Sequence, residues 1–372
     1  MFEILRKTTK EEKYYKAANT HYNILNQILE NFHGHAGEKF VKRFLDTFSY
    51  TGSPTFLNLD HNVSQMPLQK ATNVVDEMKL IVKASAGHVS AYKMNFQSLL
   101  TFLISGSPNF IDTIRTLYKE TCRQRFQIEV EPVIWLDQKL GDIPSTNYQA
   151  ADILYKLGFD AVHALPQIGP DSTAAVQLAA EQNQSRGVIH VVNMTHDGYK
   201  YVENNYFKSS DTVRKLRENA LGNLSFPVKI DSEVTNVLIR ATGVIEPANR
   251  PYELFEGYTK IYGKKTMIIS IGIGPQGALP GCALYAGATC EGIGRFIFRS
   301  AKGLDSSENI ARKSGLSKEC GLLALSARYS GAKYPLEDIL RLLKDFNPKI
   351  DERTKSDLEK VHQKILESRG LQ

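Results

Sequence analysis

The chain has 372 residues, 42% of them apolar and 23% charged, with a formal charge of +6. This composition excludes a disordered or fibrous chain and leaves enough apolar material for a sizeable core. No run of about 18 apolar residues occurs, so no membrane span is expected; lysines and arginines are scattered rather than striped, so no nucleic-acid surface is expected either.

Met1 to Lys7 carry charge early and lack the apolar stretch of a secretory signal, which makes a cytoplasmic location the expectation. Cys122, Cys282, Cys290 and Cys320 lie far apart with no CxxC pair and read as reduced, buried thiols.

Residues 1–50 predict an N-terminal helical extension. Tyr22, Ile24, Leu25, Ile28, Leu29 and Phe32 recur at helical spacing, and Gly34 ends the run. Gly52-Ser53-Pro54 then breaks the chain. Over 51–330, short apolar segments at 56–60, 88–94, 131–137, 160–164, 187–193, 236–241, 266–271 and 290–293 read as strands. Helical patterns at 66–84, 146–157, 171–183 and 247–259 fall between them. Such alternation implies parallel pairing with right-handed crossovers. Eight units read as an α/β fold, a (β/α)8 TIM barrel with N-terminal and C-terminal helical extensions, a doubly wound open sheet being the alternative. Residues 331–372 form the charged C-terminal extension. There Leu336, Ile339, Leu340, Leu342 and Leu343 can cover a barrel face, while 351–368 read as a solvated helix.

In a barrel the C-terminal ends of the strands carry the chemistry. Polar residues gather there: Asp60 after the first strand, Lys93-Met94-Asn95 at the second, and Asp137-Gln138-Lys139 with Asp142 at the third. Asn193 to His196 follow the fifth, Gly272-Ile273-Gly274-Pro275-Gln276-Gly277 the seventh, and Gly294-Arg295 the eighth. Glycines in the last two loops can bring backbone N–H groups against an anion, with Gln276 donating an amide hydrogen and Arg295 gripping phosphate oxygens. His163 reads as a core histidine, Met194 as packing and His196 as structural; no cluster has metal-ligand spacing, and no metal or organic cofactor is expected.

Asp137 and Lys139 are two apart, so on an extended strand they share a face. Lys93, Asp137, Lys139 and Asp142 form an array of alternating charge that is costly to bury unless its members lie close together. Carboxylates beside Lys139 favour its charged form, which suits a proton donor rather than a Schiff-base nucleophile. A carboxylate placed there also repels a substrate carboxylate, and loss of carbon dioxide relieves the repulsion.

These residues resemble the orotidine 5′-monophosphate decarboxylase family over about residues 52–300. Asp137, Lys139 and Asp142 match its Asp-x-Lys-x-x-Asp signature, continued by Ile143 and Thr146. Lys93 with Asn95 looks like its second-strand motif, Met194 to Gly198 like its strand-five loop, and Ala241-Thr242-Gly243 like its strand-six end. Gly272 to Gly277 and Gly294-Arg295 look like its phosphate gripper. The resemblance implies that orotidine 5′-monophosphate is converted to UMP and carbon dioxide in pyrimidine biosynthesis. Lys139 would protonate C6 and Asp137 would face the departing carboxylate. Lys93 and Asp60 would bind the ribose, Thr195 the base edge, and Gln276, Gly294 and Arg295 the phosphate. Asp142, Ile143 and Thr146 would act in the partner's site of a homodimer. Ile271 stands where a proline is usual, and Thr195 where a serine is usual. Related magnesium-dependent sugar-phosphate decarboxylases and aldolases are similar around Asp137, but they place a metal-binding glutamate where this chain has Lys93, and an ammonium there disfavours a divalent cation. A non-catalytic phosphate-binding barrel is the reading from another class.

Overall fold

The computed structural model describes residues 1–60, 71–195, 210–230, 232–300 and 303–370. Eight strands, Thr55–Asn58, Ala91–Asn95, Val133–Leu140, Ala161–Ala164, Gly187–His190, Gly243–Pro247, Met267–Ile271 and Cys290–Ile293, close into a barrel. Every neighbouring pair is parallel, and the first strand closes on the eighth through Thr55 opposite Glu291 and Phe56 opposite Gly292. A strand in such a barrel is covered by helices outside and side chains inside, which is why these segments are short, apolar runs rather than alternating ones. The crossovers are carried by helices including Ala71–Ser85, Phe110–Phe126, Pro144–Lys156 and Pro170–Gln182.

Aromatic rings fill part of the barrel interior. Phe56 and Trp135 pack with centroids 4.6 Å apart and planes inclined by 58°, and Phe40 meets the indole edge-on at 5.9 Å. A Cβ at Gly292 would fall 2.3 Å from the Phe56 ring, so the eighth strand carries a glycine at the level where the first strand sends in its largest side chain. Phe40 belongs to the N-terminal extension, on the helix Glu38–Thr51. That helix is pressed against the barrel floor: a Cβ at Gly37 would meet Thr242 Oγ1 at 2.3 Å, and one at Gly187 would meet Phe40 at 3.1 Å. The extension thus closes the end of the barrel opposite the mouth.

The sixth strand differs from the expectation. Residues 236–241 belong to the strand Glu233–Arg240, paired antiparallel with Leu221–Ile230 in a two-stranded hairpin outside the barrel. Only one side of it is covered, with Val237 and Ile239 packed on Ala174, Ala175 and Leu178. The barrel strand is Gly243–Pro247, buried along its whole length despite Glu246. The buried carboxylate of Glu246 is held by Arg217 at 2.7 and 2.8 Å and by the Tyr262 hydroxyl at 2.8 Å. Ala241-Thr242-Gly243 therefore lies at the start of the sixth strand, on the barrel floor, and not at its mouth. Thr242 Oγ1 accepts from the Val188 amide there.

The helix Ser307–Ser330 and two further helices, Leu336–Leu342 and Glu352–Ser368, complete the chain. The last is amphipathic rather than fully solvated, with Leu358, Val361 and Ile365 buried. All four cysteines are buried and free.

Glu291, on the eighth strand, is fully enclosed. Its Oε1 accepts from the Gly281 amide at 2.6 Å, while Oε2 has no partner. Burial pushes its carboxyl up to about 8. The folded chain keeps a proton that the unfolded chain releases above about pH 4.5, so this group's stabilisation is complete below that pH and is lost as pH rises through about 8. Glu291→Gln should therefore gain in melting temperature relative to the parent as pH is raised from about 5 to about 8.5. A difference that stays constant over that range in thermal denaturation would contradict the assignment.

Candidate active site

The third strand, Val133–Leu140, supplies two of the charged residues. Its pairing with the fourth strand slips between Leu136 and Leu140, and Lys139 sits in this irregularity with φ 53°. A left-handed conformation is costly for a residue with a Cβ, on the order of 1–3 kcal/mol, and is retained where the surroundings over-determine it. Here it turns the lysine back over its own strand. Lys139 Nζ reaches Asp137 Oδ1 at 2.5 Å, so the shared face expected from the sequence is met, although by a bulge and not by regular alternation.

Neighbouring strands bring the rest. Lys93, on the second strand, is opposite Trp135 in register and places Nζ 2.9 Å from Asp137 Oδ2 and 3.4 Å from Asp60 Oδ2. His163, on the fourth strand, sets Nδ1 3.0 Å from Asp137 Oδ1. Asp137 is thus the hub of a network spanning the ends of four adjacent strands. Burial works against its charge, but Lys93 foremost, then His163 and Lys139, hold the carboxyl well below the usual carboxylate range. Burial likewise opposes the charge on Lys93, and Asp137 and Asp60 outweigh it, raising its pKa above that of an ordinary lysine. His163 is shifted down by burial, which leaves a neutral ring that donates to Asp137. Lys93 and Asp137 are almost fully enclosed, whereas the Lys139 side chain is 42% exposed. The array therefore has a dry base and one ammonium at the opening.

The sequence reading placed His163 in the core and missed its part in this network. The available signal was its position: it lies on the fourth strand, next to the strand that carries Asp137. Asn95 does not join the array; its side chain caps the following helix by accepting from the Ser98 amide at 2.8 Å. Asp142 is also separate within one chain. It is exposed, with Oδ1 accepting from the Ile143 amide at 2.7 Å, while its backbone is held by Asn147 and Ser172. Ile143 is 61% exposed, and Thr146 is also at the surface.

The loops after the seventh and eighth strands border the same mouth. Gly272, Gly274 and Gly277 have φ of 116°, 89° and 91°, a path that side chains would strain. A Cβ at Gly272 would lie 3.2 Å from Gln276 Oε1 and 3.4 Å from Thr195 Cγ2, so the fifth- and seventh-strand loops meet at this glycine. Gly294 crosses above the first strand, where a Cβ would approach Asn58 at 3.2 Å. Arg295 follows it, exposed and with no ion pair among the described residues. His196, Asp197 and Gly198 lie outside the described residues. Among the described residues no group of three or more histidine, cysteine, aspartate or glutamate side chains is placed to hold a metal.

A model of the "Orotidine 5'-phosphate decarboxylase / HUMPS family" matches residues 66–310. Orotidine 5′-phosphate decarboxylase of Methanosarcina acetivorans is 30% identical over 186 residues, covering 50% of this chain and 72% of the relative. The enzyme of that name from Pyrococcus horikoshii is 30% identical over 231 residues, covering 62% and 89%. The solved orotidine 5′-monophosphate decarboxylase of Methanocaldococcus jannaschii, in complex with the inhibitor BMP, shares the fold with a TM-score of 0.51 at 21% identity, over 72% of this chain and 98% of that one.

The geometry separates two roles for the cations. Asp137→Ala should leave the enclosed Lys93 ammonium with the more distant Asp60 as its remaining ion-pair partner among the described residues and cost about 3–5 kcal/mol. Lys139→Ala removes a largely solvated partner and should cost no more than about 1 kcal/mol. Urea denaturation of the two variants checks the difference, and equal losses would refute the division into a dry base and an open ammonium.

Proposed function

The chain belongs to the orotidine 5'-phosphate decarboxylase / HUMPS family, and from that premise we propose that it is a carboxy-lyase converting orotidine 5′-monophosphate to UMP and carbon dioxide. The observation that carries this reading is the Asp60–Lys93–Asp137–Lys139 network at the barrel mouth, flanked by the loops of Gln276 and Arg295.

In the proposed reaction the phosphate is gripped by Arg295, Gln276 and the backbone at Gly294, and Thr195 contacts the base edge. Lys93 and Asp60 bind the ribose. The C6 carboxylate is then set against Asp137, whose own charge is held on by its three donors. The repulsion is present in the ground state and disappears as the carbon–carbon bond breaks. The electron pair stays on C6, Lys139 delivers a proton to it, and carbon dioxide leaves. Exposure of the Lys139 side chain gives a path for reprotonation from solvent. The mechanism asks nothing of a metal or organic cofactor. With the ammonium of Lys93 only 2.9 Å from Asp137, a divalent cation would have to compete with a built-in counterion, which weighs against the magnesium-dependent sugar-phosphate chemistry of related barrels.

We also place a homodimer and a cytoplasmic setting within this reading. Asp142, Ile143 and Thr146 present a polar and apolar edge that the described residues of their own chain leave exposed, as residues acting in a partner's site would. No described helix is long and apolar enough to cross a membrane. Residues 1–50 are taken as an N-terminal extension, 51–330 as the decarboxylase barrel and 331–372 as a C-terminal extension.

Loss of the orotate chromophore, followed in the ultraviolet with and without a chelator, tests the assignment. The parent protein should turn over equally in both conditions. Lys139→Ala should lose at least about 10²–10⁴-fold in kcat while remaining folded, and Arg295→Ala should lose about 10–100-fold in kcat/KM, mainly through KM. Activity that depends strictly on magnesium, or a Lys139→Ala variant with normal turnover, would refute the proposal.

A further inference from the structure

A cavity of about 360 Å³ lies away from the charge array, lined in part by Leu5, Thr8, His88, Leu316, Lys318 and Leu322. His88 stands in the turn that leads into the second strand, and such turns mark the end of a parallel barrel opposite its mouth. The walls come from the N-terminal segment on one side and from the helix Ser307–Ser330 on the other. The volume is in the usual range for small-molecule sites, about 300–1,000 Å³.

Its chemistry is set by Lys318. The side chain is almost fully buried, and Nζ donates to Thr8 Oγ1 at 3.0 Å. Among the described residues it makes no ion pair. The Thr8 hydroxyl proton is directed to Leu5 O at 3.1 Å, so threonine takes one of the three ammonium hydrogens and leaves two. An enclosed ammonium with one neutral acceptor is costly. Burial accordingly moves the Lys318 pKa down to about 8. His88 is kept neutral by burial, and its Nδ1 has no hydrogen-bond partner. Gly315 lies beside this ring, where a Cβ would stand in ordinary contact at 3.6 Å from the imidazole.

Two other charged side chains, Glu319 and Arg312, stand on the lining, and the Glu319 carboxylate partly offsets the burial of the Lys318 charge. Glu319 accepts from the Tyr14 hydroxyl at 3.2 Å, and Arg312 pairs with Asp345 at 2.5 Å and lies over the Phe346 ring. One cation with two open donors, one imidazole and walls of leucine remain.

We propose that this cavity is a second binding site, taking a small monocarboxylate with an apolar body. The carboxylate sits against the Lys318 ammonium and His88, and the body lies against Leu5, Leu316 and Leu322. A phosphate monoester is a poorer match, because the cavity offers no free guanidinium fork and a single ammonium for a doubly charged group. The inference does not rest on the decarboxylase reading.

Calorimetric titration of the full-length protein with octanoate, 1-octanol and inorganic phosphate at about pH 7 tests it. Octanoate should bind at one site per chain and raise the melting temperature, with octanol and phosphate at least about ten-fold weaker. Lys318→Met should weaken octanoate at least about ten-fold and raise the melting temperature of the unliganded protein, because an unpaired buried charge is gone. Gly315→Leu, which keeps Lys318 but fills the space beside His88, should also exclude octanoate. Arg295→Ala, at the mouth, should bind it as the parent does. Octanol or phosphate binding as tightly as octanoate, undiminished binding in both the Lys318 and Gly315 variants, or loss of binding in Arg295→Ala would each overturn the proposal.

Discussion

A single buried carboxylate organises the mouth of this barrel. Asp137 accepts from Lys93 at 2.9 Å, Lys139 at 2.5 Å and His163 at 3.0 Å, and the enclosed ammonium of Lys93 would be costly without it. The arrangement is asymmetric. Lys93 is sealed between Asp137 and Asp60. Lys139 has Asp137 as its one ion-pair partner among the described residues and faces the opening. A proton can leave the second ammonium without disturbing the first, and a negative group brought to the mouth meets both the attraction of Lys139 and the repulsion of Asp137. The left-handed backbone of Lys139 belongs to the same design, since the bulge in the third strand is what aims the amine across the hub.

Such a network needs a frame that cannot relax, and the two chain extensions contribute to it from opposite ends. The N-terminal helix Glu38–Thr51 drives Phe40 into the barrel floor against Trp135, two residues before Asp137 on the same strand. The C-terminal segment reaches the other end. Asp351 donates its amide to Gly277 O at 3.0 Å and caps the helix Glu352–Ser368, and the glycine at 277 leaves no space for a side chain beside that carboxylate. Thr354 donates to Asn249 O at 3.3 Å, and Arg250 in turn holds Asn193 at 2.8 Å together with the Met194 carbonyl, directly before Thr195. The loops after the fifth, sixth and seventh strands are therefore tied to one another and to the tail. Supporting contacts of this kind keep site residues within the small tolerances that catalysis demands.

The N-terminal side also creates something new. By packing against the helix Ser307–Ser330 it helps to enclose Lys318, whose ammonium donates to Thr8. The same segment that seals the floor leaves a cavity with an incompletely satisfied ammonium, and the two ends of the molecule thus differ in chemistry: a buried charge array at the mouth, and an ammonium beside leucines at the floor.

Most of the barrel was legible in the chain because parallel strands covered on both sides must be short apolar runs, and seven of the eight segments expected from such runs overlap barrel strands. The charged residues were legible because acid and base two apart at a strand end have no ordinary surface explanation. The sixth strand was not, since Glu246 and Pro247 interrupt its apolar run while the half-covered strand at 233–240 imitates it better; Arg217, arriving from 29 residues away, together with Tyr262 makes a buried glutamate tolerable. His163 was hidden for a related reason, because its partner lies across a strand boundary that local pattern does not encode. Residue types, spacing and strand order were determined by the sequence itself, because they follow from local periodicity. Which carboxylate holds which cation, how the third strand bulges to aim Lys139, and how the extensions close the floor were decided by the tertiary structure, because those depend on contacts between segments whose pairing no local rule contains.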